Sequence, residues 1–425
     1  MPPHNQAFSA SALKRCICPD DFFNDKQLSA DIYRDSLVDK ALEIANNNFE
    51  HGIKYSSFYI SEKDKNKNKP TFFSTSLEEK LVLRRCASNI RSSLSRKQNN
   101  RAIICREIKG HLSEGTPYRI YKIDIKSFFE SIQQSTVKEA LDRKSEISIH
   151  TKNLVISYLA NFKNFVPRGI EFSSTLAELV LEDFDDKLLQ DERIIYYSRY
   201  VDDIIIITNG LECNKKFYKD AEAMLPKGIN FNYNKKQICD VKLRTASSQN
   251  PSGTIVAKFD YLGYEFNVID TKLDKTKNKN INLAMFREVK INIAKNKIKS
   301  IKTKISKALI HYGKTGKIEI LKSRIKFLTS NRDLVQKSTG HSIPTGIYYN
   351  YNLISEESES LIELDETLSN FVMKYDSLFK NNDFKSLTME DRRSLLNSSF
   401  RKGFGERVYK KFSPNQLKEI VRIWK

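Results

Sequence analysis

No apolar run in the 425 residues approaches the ~20 that a membrane-spanning helix needs. The N-terminus, Met1-Pro2-Pro3-His4-Asn5, has no charged start leading into an apolar stretch, and so lacks the form of a secretory signal. A cytosolic protein with no membrane partner is the expectation. No two cysteines have the C-x-x-C spacing used by zinc or redox sites. Cys16, Cys18, Cys86, Cys105, Cys213 and Cys239 read as reduced, mostly buried thiols, and Cys16-x-Cys18 has no second pair to complete a metal site. No internal repeat is present. The chain is long enough for two or three domains with cores of their own, so neither disulfides nor structural metals are required.

Acidic residues are in deficit. Against 72 Lys and Arg stand 52 Asp and Glu, a net charge of +20 and a pI near 9.4. Such an excess speaks of partners rather than of fold, and a polyanion such as nucleic acid is the first candidate. The base is concentrated: between residues 271 and 330, 17 Lys and Arg face 3 Asp and Glu, enough for several phosphate contacts. There Ile298, Ile301, Ile305 and Leu309 recur at helical spacing. Lys299, Lys302 and Lys304 fall elsewhere on the wheel, giving an amphipathic helix whose basic face is a candidate for binding nucleic acid, a solvated surface being the alternative.

Residues 1 to 60 look mixed and helical, and Ser61 to Pro70 reads as a polar loop. Helical patterns run from Ser76 to Ser95 and from Arg101 to Leu112. Tyr118 to Ile125 is the first clear strand, with Asp124 set between Ile123 and Ile125. After a helical stretch ending near Leu159, a loop at Val166-Pro167-Arg168-Gly169 leads into a helix from Ser173 to Leu189. Ile194 to Tyr200 and Ile204 to Thr208 flank a short turn holding Asp202-Asp203, the pattern of a hairpin, and Lys258 to Phe266 reads as another. The region beyond 345 looks helical, and its last helix starts at Ser413-Pro414-Asn415-Gln416 with a capping serine, a first-turn proline and a glutamine three on.

Adjacent carboxylates in a turn between apolar strands repel and raise each other's pKa unless a cation lies between them. With Asp124 as a third, Asp202 and Asp203 have the composition that two Mg²⁺ ions ~3.5 to 4 Å apart use for in-line phosphoryl transfer.

At these residues the sequence resembles the reverse transcriptases. Asp124-Ile125-Lys126-Ser127-Phe128-Phe129 is similar to their motif A and Tyr200-Val201-Asp202-Asp203 to their motif C. The resemblance implies an α+β right-hand polymerase fold, with fingers, a palm built on an antiparallel sheet and a helical thumb. It divides the chain into an N-terminal extension at 1–75, fingers and palm at 76–270, a basic helical thumb at 271–345 and a helical C-terminal region at 346–425. It makes Asp124, Asp202 and Asp203 catalytic, holding with Ile125 two Mg²⁺ ions or Mn²⁺ in their place. Phe129 takes the place of the steric gate, which implies dNTPs as substrates. Pro167-Arg168-Gly169 and Ser173 resemble motif B, with Arg168 where glutamine is usual and Ser174 where proline is common. By this resemblance Arg168, Ser173 and Tyr200 meet template or primer, and Gly169 lies by the nucleotide. Phe231 to Lys236 resembles motif D, with Lys236 as general acid. Tyr261-Leu262-Gly263-Tyr264 resembles the primer grip, formed here by Leu262 and Gly263. Arg84, Arg91 and Arg101 stand where triphosphate-binding basic residues are found, helix salt bridges being the other reading.

Narrower features resemble the defence-associated reverse transcriptases of bacteria, above all the smaller polymerase of the type 3 systems. They are Phe8-Ser9-Ala10, Asp21-Phe22, Arg101 through Asp124-Ile125, Phe128-Phe129-Glu130-Ser131-Ile132, the departures in motif B, Arg324 to Thr329, and Gly346-Ile347-Tyr348-Tyr349-Asn350-Tyr351. This implies antiphage defence in the bacterial cytoplasm, a structured non-coding RNA as partner and template, a repetitive DNA product, a second reverse transcriptase and an oligomer. A template-independent or protein-primed polymerase would keep the same triad, and a retired RNA-binding scaffold is the reading from another class. Two acidic strings compete with the triad. Glu182-Asp183-Phe184-Asp185-Asp186 lies on a helix whose charges would point to water, and Asp20-Asp21 reads as a helix start or loop.

Overall fold

The computed structural model describes residues 5–96, 100–242, 254–270, 286–335, 340–379 and 384–424. Two compact units are present, and each draws on separated stretches of chain: 1–99, 118–240 and 337–340 in the first, 100–117, 241–336 and 341–425 in the second. Part of the basic stretch expected between 271 and 330, residues 271–285, lies outside the described residues.

The first unit holds a two-stranded hairpin, β1 (Tyr55–Phe58) and β2 (Thr71–Ser74), and an antiparallel sheet. The sheet contains β3 (Tyr118–Asp124), β4 (Ile194–Tyr200), β5 (Asp203–Thr208) and β6 (Gln237–Val241) in the order β4-β5-β3-β6. Ile204 to Ile207 are all buried, which suits a strand hydrogen-bonded on both sides and covered on both faces. Helices Leu77–Ser93, Gln134–Arg143, Ile149–Leu159 and Ser173–Leu189 join this core through Leu81, Ile90, Val137, Leu154, Leu176, Val180 and Phe184.

In the second unit, β7 (Thr254–Tyr261), β8 (Tyr264–Asp270) and β9 (Glu288–Ile293) form an antiparallel meander whose middle strand is buried along its whole length. Helix Lys295–Thr315 buries Ile298, Ile305 and Leu309, with Ile301 at the edge of the stripe, and packs on helices Ile318–Thr329 and Glu359–Met373. A further hairpin pairs β10 (Asn331–Val335) with β11 (Ser342–Gly346). The last helix, Pro414–Val421, carries the expected capping box: Ser413 Oγ accepts from Gln416 N, and the Gln416 side chain accepts from Ser413 N at 2.8 Å.

Three local expectations change. Ser61 to Pro70 is not wholly loop, because Ser61 caps a short helix at Glu62–Asn66 whose first turn holds Glu62 and Asp64, favourable at the positive helix end. Tyr55–Phe58 is strand rather than helix, paired with β2. Burial of the thiols holds for Cys18, Cys86 and Cys105, whereas Cys16 and Cys239 are half-buried and Cys213 is exposed.

Candidate active site

The β4–β5 hairpin and the end of β3 bring three carboxylates to one edge of the sheet. Asp124 is in register with Asp203, and Tyr200 pairs with Asp203 across the turn Val201-Asp202. Past the end of β3 the chain stays attached: Ile125 N donates to Asp202 O at 3.1 Å and Lys126 N to Asn230 O at 3.0 Å. Asn232 N donates to Asp124 O at 2.7 Å, tying in the segment that follows.

Val201 turns the corner at φ 60°, a left-handed conformation that a β-branched residue resists. Arg199 holds the corner, its Nη1 donating to Val201 O at 3.1 Å. The buried guanidinium is in turn fixed by Asp185, at 2.9 and 2.6 Å, and by Glu178, at 3.1 and 2.8 Å. Strain at the turn is thus held by a buried ionic network on the Ser173–Leu189 helix.

Burial and the neighbouring charges of Asp202 and Asp124 push the Asp203 carboxyl up to about 6. Burial and Asp124 likewise raise Asp202. Asp124 is met by a basic side chain at bonding distance: Lys235 Nζ lies 2.9 Å from Asp124 Oδ1, while Asn232 Nδ2 donates to Asp124 Oδ2 at 2.9 Å. Burial works against the Lys235 charge, but the bond to Asp124 and the fields of all three carboxylates hold it protonated above its usual range. The motif D resemblance points to Lys236. The structure places Lys236 Nζ 4.1 Å from the Tyr218 ring centroid, turned to an aromatic face, and gives the place beside the triad to its neighbour. A 3-10 turn at Tyr233–Lys235 decides between the two, and no periodicity in the sequence marks it.

Among the described residues no cluster of three carboxylate, imidazole or thiol groups is drawn together tightly enough to grip an ion, Asp124 being engaged by Lys235 and Asn232. The donor set still fits hard divalent cations. All three side chains are oxygen donors, and their mutual repulsion is what such a cation relieves.

The motif B residues flank this edge. Arg168 lowers the Asp202 pKa by its charge, pairs with Glu130 at 3.1 Å and has its guanidinium carbon 5.8 Å from the Phe129 ring centroid. Phe129 is half-buried, packed on Phe128. Gly169, at φ 97°, passes so close to β2 that an added Cβ would lie 2.5 Å from Phe72 O, so glycine is required there. Buried Ser173 donates to Pro167 O at 2.6 Å and closes the loop.

Other expected residues are engaged elsewhere. Arg84 binds Asp21 at 2.6 and 3.0 Å, which makes Asp21 a structural anchor as well as a helix-start residue. Arg91 donates to Thr175 Oγ1 at 3.3 Å. In the second unit, Arg101 donates to Leu262 O at 2.6 Å and lies 4.7 Å from the Tyr264 ring centroid, bracing the turn where Leu262 and Gly263 both have positive φ. Of the basic helix, Lys299 is exposed, Lys302 pairs with Glu363 at 2.7 Å, and Lys304 lies 5.8 Å from the Trp424 ring centroid.

The rival acidic string points to water only in part, Asp183 being exposed and Glu182 turned inward. Glu182 is buried, pairs with Lys144 at 2.7 Å and accepts from Ser95 N at 2.8 Å. Asp183 meets Arg143 at 3.2 Å, Asp186 meets Arg96 at 3.0 Å, and Asp185 is held by Arg199. Tertiary neighbours supply cations that the string itself does not contain.

Residues 64–266 match the family model described as reverse transcriptase (RNA-dependent DNA polymerase). No curated protein matches the chain. Among solved structures, apo telomerase from Candida tropicalis truncated from its C-terminal domain is 16% identical, with 44% of this chain and 42% of that one covered at a TM-score of 0.31. Telomerase from Candida tropicalis with the TWJ fragment of telomeric RNA is 12% identical, covering 88% and 64% at 0.35. The Candida albicans telomerase with that RNA fragment is 13% identical, covering 80% and 53% at 0.30. The chain thus spans about 42% to 64% of the length of these structures. Among the described residues, no helix is long and apolar enough to cross a membrane.

Proposed function

Taking residues 64–266 as a reverse-transcriptase domain, an RNA-directed DNA polymerase of α+β right-hand architecture, we propose that this chain copies RNA into DNA at the edge formed by Asp124, Asp202 and Asp203. The observation that carries the reading is the register of Asp124 with Asp203 beside the strained Val201-Asp202 turn. Asp124, Asp202, Asp203 and the Ile125 carbonyl would hold two Mg²⁺ ions, or Mn²⁺, whose chemistry is to acidify the primer 3′-hydroxyl and neutralise pyrophosphate. Lys235, kept protonated by the carboxylates, is the group placed to give a proton to the leaving pyrophosphate. The Phe129 ring, stiffened by Phe128 and Arg168, would exclude a ribose 2′-hydroxyl, so dNTPs are the substrates.

Primer extension tests this. Replacing Asp202 and Asp203 together by asparagine is expected to abolish synthesis, and undiminished product would refute the assignment. Phe129→Val is expected to raise ribonucleotide incorporation by about tenfold or more, since a gate acts by excluding one hydroxyl.

The finer setting is bacterial antiphage defence. There the chain would use a stretch of a structured non-coding RNA as template, make repetitive DNA, and work beside a second reverse transcriptase or as an oligomer. The resemblance at Phe128 to Ile132 and Gly346 to Tyr351 supports it. Arg168 favours a second reading, since Glu130 already engages the residue that stands at a template-contact position. In that reading synthesis is template-independent or protein-primed. Product sequencing separates the two: DNA that follows changes made in the RNA supports copying, and DNA indifferent to them supports the alternative.

A further inference from the structure

A basic cavity of about 320 Å³ opens in the second unit, where the end of helix Ile318–Thr329 meets the segment from Ser394 to Lys410. Lys326, Lys402 and Lys410 line it together with Ser394, Asn397 and Ser398, and no lining residue is acidic. Lys326 and Lys410 have no ion-pair partner among the described residues. Lys402 has only Glu406 at 4.0 Å, with both side chains more than half exposed. Asp365, which binds the lining residue Ser399, is taken up by that hydroxyl at 2.7 Å and by the N–H groups of Phe400 and Arg401 at 2.6 and 3.1 Å. The side chains of Ser394, Asn397 and Ser398 have no hydrogen-bond partner among the described residues, which leaves two hydroxyls and an amide to accompany three ammonium groups.

The walls are fixed independently of any ligand. Gly403 packs so tightly that an added Cβ would come 1.7 Å from Thr329 O. Buried Asn331 donates to Gly403 O at 2.9 Å and to Val408 O at 3.2 Å, and Lys410 N donates to Asn331 O at 2.8 Å. Three exposed lysines thus rim a hollow whose backbone walls are preformed, so part of the cost of ordering such a site has been met in advance. Three ammonium groups, two hydroxyls and an amide suit an anion that accepts several hydrogen bonds, and a phosphate has both the charge and the oxygens.

We propose that this cavity binds the phosphate of a nucleotide unit, free or within a polynucleotide. The choice of nucleotides among phosphate carriers rests on the polymerase reading; the cavity's preference for phosphate does not. The test uses the full chain and two probes: MANT-ATP, and a fluorescein-labelled RNA 12-mer without terminal phosphates. The pocket variant, K326Q/K402Q/K410Q, is compared with K187Q/K215Q/K216Q, which removes the same charge from exposed positions of the first unit. The pocket variant is expected to lose about tenfold or more in affinity relative to the control, with a shallower salt dependence. S394A/S398A is expected to lose about threefold, as hydroxyl donors contribute less than ammonium groups.

Loss on both probes assigns the phosphate itself, loss on MANT-ATP alone a free-nucleotide site, and loss on RNA alone a backbone site. Equal affinities of the two triple variants on both probes overturn the proposal, as does failure of the unsubstituted chain to bind either probe. Melting temperatures of the two triples establish that both are folded. Primer extension by the Asp202 and Asp203 variants reports separately on the polymerase reading.

Discussion

Two acidic clusters lie in the first unit, and they differ in what neutralises them. On the Ser173–Leu189 helix, Glu182, Asp183, Asp185 and Asp186 each have a basic partner: Lys144, Arg143, Arg199 and Arg96. At the β3 and β4–β5 edge, Lys235 holds Asp124, while burial and like charge bear on Asp202 and Asp203. The consequence is visible in their protonation. Glu182 lies below its usual pKa in spite of burial, because Lys144 and Ser95 stabilise its charge, whereas Asp203 is pushed up to about 6 by burial and by its acidic neighbours. Carboxylates that serve the fold bring their cations with them. At the sheet edge burial and like charge outweigh the neighbouring cations and raise Asp202 and Asp203, the electrostatic pattern of a candidate site.

The comparison breaks most visibly if the two clusters respond alike to neutralisation. Asp202→Asn with Asp203→Asn is expected to lower primer extension by about 10³-fold or more, the scale of losing groups that stabilise transition-state charge. The melting temperature should stay level or rise, because repulsion has been removed. Asp185→Asn should do the reverse, destabilising by about 3 kcal/mol, since it leaves the buried Arg199 short of a partner. Activity would then fall only as far as the Val201-Asp202 turn relaxes. A double asparagine variant that unfolds, or an Asp185 variant as stable as the parent, would erase the distinction.

Arg199 links the clusters and is expected to show an intermediate effect. Arg199→Lys keeps the charge but not the fork that spans Glu178, Asp185 and Val201 O. Synthesis should fall about tenfold to hundredfold, as when a supporting contact to a metal site is lost. Arg199→Met should lose more stability than Arg199→Lys. If Lys and Met variants show the same kcat and the same melting temperature, the turn does not depend on the guanidinium.

Much of this was legible in the residues themselves. The Ser173–Leu189 helix and the Tyr118–Asp124 and Ile194–Tyr200 strands follow from apolar runs of helical or strand length bounded by loop and turn residues. Asp124, Asp202 and Asp203 stood out because charge beside an apolar strand is costly. What escaped notice depends on distant partners. Glu182 and Asp185 lie on an apparently solvated helix, and nothing local announces that Ser95, Lys144 and Arg199 reach them. Lys235 and Lys236 are adjacent and chemically identical, so only the tertiary path of the Tyr233–Lys235 turn separates them. A periodicity argument has no access to either fact.

Glu171 sharpens the comparison because it belongs to neither cluster. Its carboxyl is raised by burial, which outweighs the lowering fields of Arg84 and Lys80, and its Oε2 is buried with no hydrogen-bond partner among the described residues. It shares the raised pKa of Asp202 and Asp203 without belonging to their cluster. Above the unfolded value of ~4.3, the native state keeps a proton that the unfolded chain has released. Stability therefore falls as pH rises through the interval between the unfolded and folded pKa values, then levels off. Glu171→Gln removes this dependence and should raise stability near pH 8 by about 1 kcal/mol, the scale of a buried acceptor left unmatched. Melting curves from pH 4 to 8 measure it. Parallel curves for parent and variant would mean that Glu171 finds a partner in solution, and that a raised pKa does not separate carboxylates left short of charge from those the fold has matched.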